Sequence, residues 1–246
     1  MFEFQSHLIF PVHAVQRAGS LPPGAKQLSV KSGRATLSGV HIPPDRSDRS
    51  RTLILGFGGN AWNGQDVAEY LHELYPDHDV VAFHYRGYRP STGEPSGDAL
   101  TADAPLVFDA AVAAVRPKRV IAVGFSIGTG VAAQLSRTRE LDGLILVTPF
   151  DSLKAVAQSM YPWLPIGPFF NHEINAAEPL AASDVPVVII AAQNDELVPT
   201  ARTDALRQVV GNLVLDRTIK RSGHNDIYAR SDFHDAMHEA VDRLKA

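Results

Sequence analysis

The stretch from Arg119 to Leu135, RVIAVGFSIGTGVAAQL, constrains the fold more than any other part of this chain. Val120 to Val123 have the length and apolar character of a buried strand. A five-residue turn, Gly124-Phe125-Ser126-Ile127-Gly128, follows at once, and the helix-forming segment from Thr129 to Leu135 comes next. Because strand and helix pack closely at so tight a turn, small residues are needed on both sides of its apex. We expect the hydroxyl of the apex residue, Ser126, to stand exposed at the end of the strand.

The turn has the pattern G-x-S-x-G, in which a serine nucleophile sits between a strand and a helix. The pattern alone is weak, because an ordinary strand-to-helix turn can contain the same residues by chance. Its surroundings favour the catalytic interpretation, since a strand precedes it, a helix follows it and possible partners of Ser126 lie downstream.

Composition limits the other possibilities. A chain of 246 residues with 45% apolar and 20% charged residues can bury a large core as one α/β domain. The net charge of -4 argues against a nucleic-acid partner, and the lack of cysteine excludes disulfides, thiolate metal sites and cysteine nucleophiles. The N-terminus is a poor signal peptide, and no apolar run reaches the roughly 18 residues of a transmembrane segment. We therefore expect a cytoplasmic protein that acts on a small molecule.

The order of elements predicts the fold class. Two short strands around a Ser32-Gly33 turn predict an N-terminal β-hairpin. Strands and helices then alternate, which predicts a mostly parallel central sheet with helices on both faces. No repeat or linker divides residues 1–246, so we expect a single domain in which residues 148–183 form a possible small lid. The predicted strands are 28–30, 35–41, 52–57, 79–84, 120–123, 141–147, 185–192 and 213–219, and the helices are 66–75, 100–115, 129–135, 200–210 and 232–244.

A serine nucleophile needs a base within hydrogen-bonding reach, and two downstream loops offer its partners. Asp195 follows the strand at 185–192, and His224 follows the last strand. Loops at the carboxyl ends of parallel strands meet on one edge of the sheet, so both should approach Ser126. We predict that His224 is the general base and acid and that Asp195 orients it. Asp151, after the preceding strand, is the alternative acid.

The same mechanism needs donors for a developing oxyanion. We assign them to the backbone N–H groups of Ile127, after the nucleophile, and of Asn60, in the loop after the strand at 52–57. Glu196 and Asp226 lie beside the acid and the base, and we expect both to be solvated. Several aromatic residues are candidates for an apolar acyl pocket, namely Trp62, Tyr88, Tyr161, Trp163, Phe169 and Phe170.

Taken together, these motifs resemble those of the α/β-hydrolase superfamily, and within it the BEM46-like serine hydrolases. The resemblance spans nearly the whole chain. It rests on GFSIG at the serine, on FGGNA at 57–61, and on the segments YRGY at 85–88, STGEPS at 91–96, TPFDS at 148–152, YPWLP at 161–165, NDELVP at 194–199 and GHND at 223–226. It implies the α/β-hydrolase fold and a cofactor-independent serine hydrolase that cleaves an ester, thioester or amide. One departure is Gly58, where the family has histidine.

Two other classes of function remain open at this stage. Gly56-x-Gly58-x-x-Ala61 after a strand imitates a dinucleotide-binding loop, and Arg86 could face the 2′-phosphate of NADP. A hydrolase fold can also serve as a catalytically silent binding module. His234 and His238 have a spacing suited to a metal, but an exposed helix face explains that spacing better.

Overall fold

An eight-stranded sheet organises the described part of the chain, which comprises residues 9–46, 51–160, 163 and 170–245 of the computed structural model. The strand order is β1-β2-β4-β3-β5-β6-β7-β8. β1 and β2 form the predicted antiparallel hairpin, β2 pairs antiparallel with β4, and the remaining neighbours are parallel. The strands are β1 Lys26–Ser32, β2 Ala35–Ile42, β3 Thr52–Phe57, β4 Asp79–Phe83, β5 Arg119–Phe125, β6 Gly143–Val147, β7 Val187–Ala192 and β8 Leu213–Ile219.

Helices cover both faces of this sheet, as the alternation of elements predicts. α1 and α7 pack on one face, and α2, α3, α5 and α6 pack on the other. Alternate residues of the central strands point to opposite faces, so that Leu53 and Leu55 contribute to one core and Ile54 to the other. The helices are α1 Gly64–Leu74, α2 Gly97–Val115, α3 Ile127–Leu135, α4 Leu153–Met160, α5 Ala177–Ala181, α6 Thr200–Val209 and α7 Ser231–Lys245.

Several strands differ from their predicted bounds by one or two residues at an end, and some helices begin earlier than predicted. α1 begins two residues earlier than predicted because the side chain of Asn63 accepts the N–H of Asp66. α2 begins three residues earlier because Ser96 accepts the N–H of Ala99 in the same way. Such caps satisfy N–H groups that have no partner inside the helix, and they extend it beyond its apolar stripe.

The interval from 148 to 183 contains α4 and α5, and residues 161–162 and 164–169 within it lie outside the described residues. The single domain and the small lid stay predictions. No helix among the described residues is both long and apolar enough to cross a membrane.

A buried histidine ties the start of α1 to the end of β4. The Nδ1 atom of His84 accepts the N–H of Gly64 at 3.2 Å, and the side chain is almost completely buried. Burial disfavours the charged imidazolium and lowers the pKa of His84 to about 4 from an ordinary 6.5. Folding therefore stabilises the neutral imidazole.

This shift predicts a loss of stability in mild acid. Between about pH 6.5 and 4 the unfolded chain binds a proton at His84 that the folded chain does not, so the free energy of unfolding falls as the pH falls through this window. The full contribution is about 3 kcal/mol. In His84→Asn, whose amide oxygen can replace Nδ1 as the acceptor, urea unfolding should depend less steeply on pH. Equal slopes for the two proteins would contradict the assignment.

Candidate active site

The turn at Ser126 is as tight as its sequence predicts. β5 ends at Phe125, α3 begins at Ile127, and Ser126 between them has φ 50° and ψ -116°. A positive φ is strained for a residue with a side chain. The N–H of Ser126 is nevertheless satisfied, because it donates to the carbonyl of Val147 in the neighbouring strand at 2.9 Å. The strained apex is therefore anchored to β6.

Two glycines make room for this turn. A Cβ atom on Gly124 would lie 2.5 Å from the carbonyl oxygen of Gly128. A Cβ atom on Gly128 would collide with the carbonyl oxygen of Phe57 at the end of β3. The backbones of β3, β5 and α3 thus approach one another as closely as only glycine permits.

The three residues predicted as a catalytic triad lie in one hydrogen-bonded chain. The Nε2 atom of His224 is 3.0 Å from Oγ of Ser126. Its Nδ1 atom is 2.9 and 2.8 Å from the two carboxylate oxygens of Asp195. An ionised carboxylate only accepts, so Nδ1 carries the proton and Nε2 is free to accept from the serine hydroxyl. The side chains of His224 and Asp195 are each 5% exposed, so little water competes for these bonds.

The acid is also held by its own loop. Oδ1 of Asp195 accepts the N–H groups of Leu197 and Val198 at 3.0 and 2.7 Å. The alternative acid, Asp151, lies elsewhere: its Oδ2 is 3.2 Å from Nη1 of Arg202. The structure therefore brings Asp195, and not Asp151, to the histidine.

Two further carboxylates fix the loop that carries His224. Oε2 of Glu196 accepts the N–H of His224 at 3.0 Å, and Oδ1 of Asp226 accepts the N–H of Gly223 at 2.6 Å. Both residues are exposed, as expected for solvated side chains. Their second role was not predicted from the sequence. It arises because the tight turn leaves two successive N–H groups that need acceptors.

The loop after β3, which contains Asn60, lies beside the serine. A Cβ atom on Gly59 would be 3.9 Å from the Cβ of Ser126. Three donors occupy the carbonyl groups of this loop. Tyr85 Oη donates to Gly58 at 2.8 Å, the N–H of Trp62 donates to Gly59 at 3.2 Å, and Tyr88 Oη donates to Asn60. Ile127 opens α3, so its N–H has no partner within that helix.

The structure corrects the pocket role expected for Tyr88. Its side chain is fully buried, so it cannot contact a substrate without moving, and its hydroxyl is bound to Asn60. Trp62 is half-buried in an aromatic cluster, with ring centroids 5.4, 5.2 and 5.5 Å from those of Tyr70, Phe125 and Tyr228. Packing therefore explains Tyr88, and the pocket role of Trp62 stays a prediction.

The remaining pocket candidates belong to the interval from 161 to 170. Trp163 is 76% exposed and Phe170 is partly buried. Tyr161 and Phe169 lie outside the described residues. The pocket role of these four residues stays a prediction.

Tyr228 is a residue near the site that the sequence analysis did not single out. Its ring packs against those of Trp62 and Phe125, behind the serine. Burial raises the pKa of Tyr228 to about 12, while a hydrogen bond with Thr148 opposes that rise. The phenol therefore stays neutral and acts as part of the wall that supports the turn.

Comparisons with known proteins identify the family of this chain. A model of the α/β-hydrolase fold matches residues 53–171. The uncharacterized protein Rv2307c of Mycobacterium tuberculosis is 30% identical over 217 residues, which cover 86% of this chain and 76% of that protein. This chain belongs to the α/β-hydrolase family. The expectation of a hydrolase is confirmed at that level, and the narrower resemblance to BEM46-like enzymes stays a prediction.

One further relative and two solved structures are also similar to this chain. The lysophosphatidylserine lipase ABHD12 of Danio rerio is 34% identical over 171 residues, but these cover 61% of this chain and only 45% of that lipase. An α/β hydrolase from Vibrio vulnificus has a TM-score of 0.75 and 17% identity over 99% of this chain and 92% of its own. The Pyrococcus furiosus esterase Pf2001 has a TM-score of 0.68 and 20% identity, and the match covers 94% of this chain and 96% of the esterase. The last two show the fold alone.

The α/β-hydrolase fold replaces the dinucleotide-binding alternative. Arg86, which that alternative needed for a 2′-phosphate, forms an ion pair with Asp103 at 2.5 Å. Gly58 bonds through its carbonyl to Tyr85 in the loop beside Ser126. The glycines of this loop thus serve the close packing around the serine.

Proposed function

We propose that this hydrolase cleaves carboxylic esters through an acyl-enzyme formed on Ser126. The observation that carries the proposal is the hydrogen-bonded chain from Ser126 through His224 to Asp195. Serine is a weak nucleophile by itself, and a neutral imidazole within 3.0 Å of its hydroxyl is the base that it needs. Asp195 holds the tautomer in which Nε2 can accept that proton.

The reaction then follows in two balanced halves. As Oγ of Ser126 attacks the ester carbonyl, its proton passes to Nε2 of His224, and the N–H groups of Asn60 and Ile127 stabilise the oxyanion. Collapse of this intermediate breaks the ester bond, and His224 gives the proton to the departing alkoxide. Water, deprotonated by the same histidine, attacks the acyl-enzyme, and the acid leaves as Ser126 regains its proton.

We propose an ester as the substrate, and not a thioester or an amide, because some of the similar proteins are ester hydrolases by name. They include a lysophosphatidylserine lipase and an esterase. Because this chain spans less than half of the lipase, we carry over the type of bond and not the substrate. A panel of p-nitrophenyl esters of graded acyl length, with acyl-CoA and aminoacyl substrates alongside, would test the bond and the chain length together.

The nucleophile can be tested with a covalent probe. A fluorophosphonate should label the wild-type protein at Ser126, since the probe traps a serine that a neighbouring base activates. Ser126→Ala should neither label nor hydrolyse the esters. Ser136→Ala, in the same region of the chain but outside the turn, is the control and should label fully. Labelling of Ser126→Ala at the wild-type rate would refute the assignment.

The choice of acid makes a second prediction. Asp195→Asn should lower kcat by about 10⁴, because an amide in that place favours the wrong tautomer of His224. Asp151→Asn removes the same charge next to Arg202, and it should leave kcat within a few-fold of wild type. Circular dichroism would verify that both variants fold. A loss of activity in Asp151→Asn alone would reverse the assignment.

Two tyrosines extend the proposal to the oxyanion loop. By donating to the carbonyls of Gly58 and Asn60, Tyr85 and Tyr88 fix the loop that carries the Asn60 N–H. Burial raises the pKa of both phenols, so both hydroxyls remain donors at neutral pH. Gly58 has no side chain that could hold this loop, and the two tyrosines hold it instead. We assign Tyr85 and Tyr88 as positioning residues.

Tyr75 supplies a matched control for this assignment. Its buried hydroxyl donates to the carbonyl of Met237 at 2.8 Å, far from Ser126 along the sheet. Tyr88→Phe and Tyr75→Phe should each lose about 1–3 kcal/mol of stability. Only Tyr88→Phe should also lower kcat, by about ten-fold or more with little change in KM, since the loss concerns a transition-state contact. Equal kcat values in the two variants would reduce Tyr88 to a structural role.

A further inference from the structure

A cavity of about 740 Å³ lies beside the start of α1, between the N-terminal segment and the loop that follows β4. Among the described residues that line it, none is Ser126, Asp195 or His224. A volume of this size accommodates a small organic molecule. The cavity is therefore separate from the triad, and the proposed reaction does not use it.

Two arginines give this cavity its charge. Arg17 comes from the N-terminal segment and Arg89 from the loop after β4, and the described lining contains no aspartate or glutamate. Within the described part of the chain, neither guanidinium has an ion pair or a hydrogen bond. Arg86, three residues before Arg89, is by contrast held by Asp103. Two free guanidiniums at one cavity, in a chain of net charge -4, indicate a place for an anion.

His84 adds a buried donor to the same wall. Ala82 belongs to the core under α1 and Phe83 to the opposite core, so the alternation of the strand directs His84 to the α1 face, where the cavity lies. Nδ1 accepts from Gly64, so the neutral imidazole carries its proton on Nε2. Among the described residues none accepts that proton. Because the imidazole stays neutral above about pH 5, this donor is unchanged across the neutral range.

We propose that this cavity is a binding site for a phosphate monoester, held by Arg17, Arg89 and the Nε2–H of His84. The two guanidiniums balance the nearly double negative charge of a phosphate monoester at neutral pH, and their planar donors match its oxygens. A carboxylate carries only one charge and would leave one arginine without a partner. The volume beyond the phosphate leaves room for the organic part of the ligand.

The phosphate could belong to a free metabolite or to a lipid headgroup, and the experiment separates these sources. Calorimetry at about pH 7.5 and low salt would measure binding of inorganic phosphate, glycerol 3-phosphate and acetate to the Ser126→Ala protein, in which no ester can turn over. A flotation assay would compare vesicles of phosphatidylcholine with and without phosphatidic acid. Binding of the soluble phosphates indicates a metabolite, and binding of phosphatidic acid vesicles alone indicates a headgroup.

The variants are chosen for equal charge. Arg17→Ala with Arg89→Ala should weaken binding of the phosphate probes at least ten-fold. Arg137→Ala with Arg243→Ala removes two exposed arginines elsewhere and should leave binding unchanged. Equal binding in the two double variants, tighter binding of acetate than of phosphate, or no binding of any phosphate probe would overturn the proposal. None of these readouts depends on hydrolysis, so the failure of one proposal is distinct from the failure of the other.

Discussion

The close approach of three backbone segments at Gly128 is the constraint on which the rest of this structure depends. The end of β3, the end of β5 and the first turn of α3 meet where any side chain would collide with a carbonyl group. This contact holds Ser126 at a positive φ, a conformation that costs about 1–3 kcal/mol in isolation. The surroundings offset that cost, since β5 is buried along nearly its whole length and pairs on both sides.

Hydrogen bonds from side chains fix the loops that surround this tight turn. Two loops at the carboxyl edge of the sheet are held by side chains from other parts of the chain. Tyrosines hold the loop after β3, and Glu196 holds the loop of His224 from the loop of Asp195. Asp195 itself combines both tasks, because it accepts from the histidine and from its own backbone. Such mutual support holds Ser126, His224 and Asp195 in a fixed arrangement.

Much of this arrangement follows from local sequence. The apolar run that becomes β3 has the predicted bounds, because a strand buried in the centre of the sheet needs apolar residues of strand length. β8 also has the predicted bounds, although it is an edge strand in which only Leu215 and Ile219 are buried. The meeting of Ser126, Asp195 and His224 follows from chain order and from the shared edge of parallel strands. The choice between Asp195 and Asp151 did not follow in the same way, since both lie in a loop that follows a buried strand. The structure distinguishes them, because Asp195 contacts His224 and Asp151 pairs with Arg202.

The contacts that sequence could not supply join residues far apart in the chain. Tyr88 looked like an aromatic residue for a pocket, yet its hydroxyl binds Asn60, 28 residues away, and its ring is buried. The cavity with Arg17 and Arg89 likewise combines an irregular N-terminal segment with a distant loop. Neither segment has a periodic pattern from which its partner could be inferred.

The hairpin of β1 and β2 also changes what the sheet presents to other molecules. β4 is buried through nearly all of its length, and an edge formed by such a strand would invite further strands from other chains. β2 covers that side of β4, and β1 becomes the outer strand in its place. β1 is mostly exposed and bears Lys26 and Lys31, charges that oppose the addition of another strand. The sheet thus ends on this side in a strand that resists aggregation.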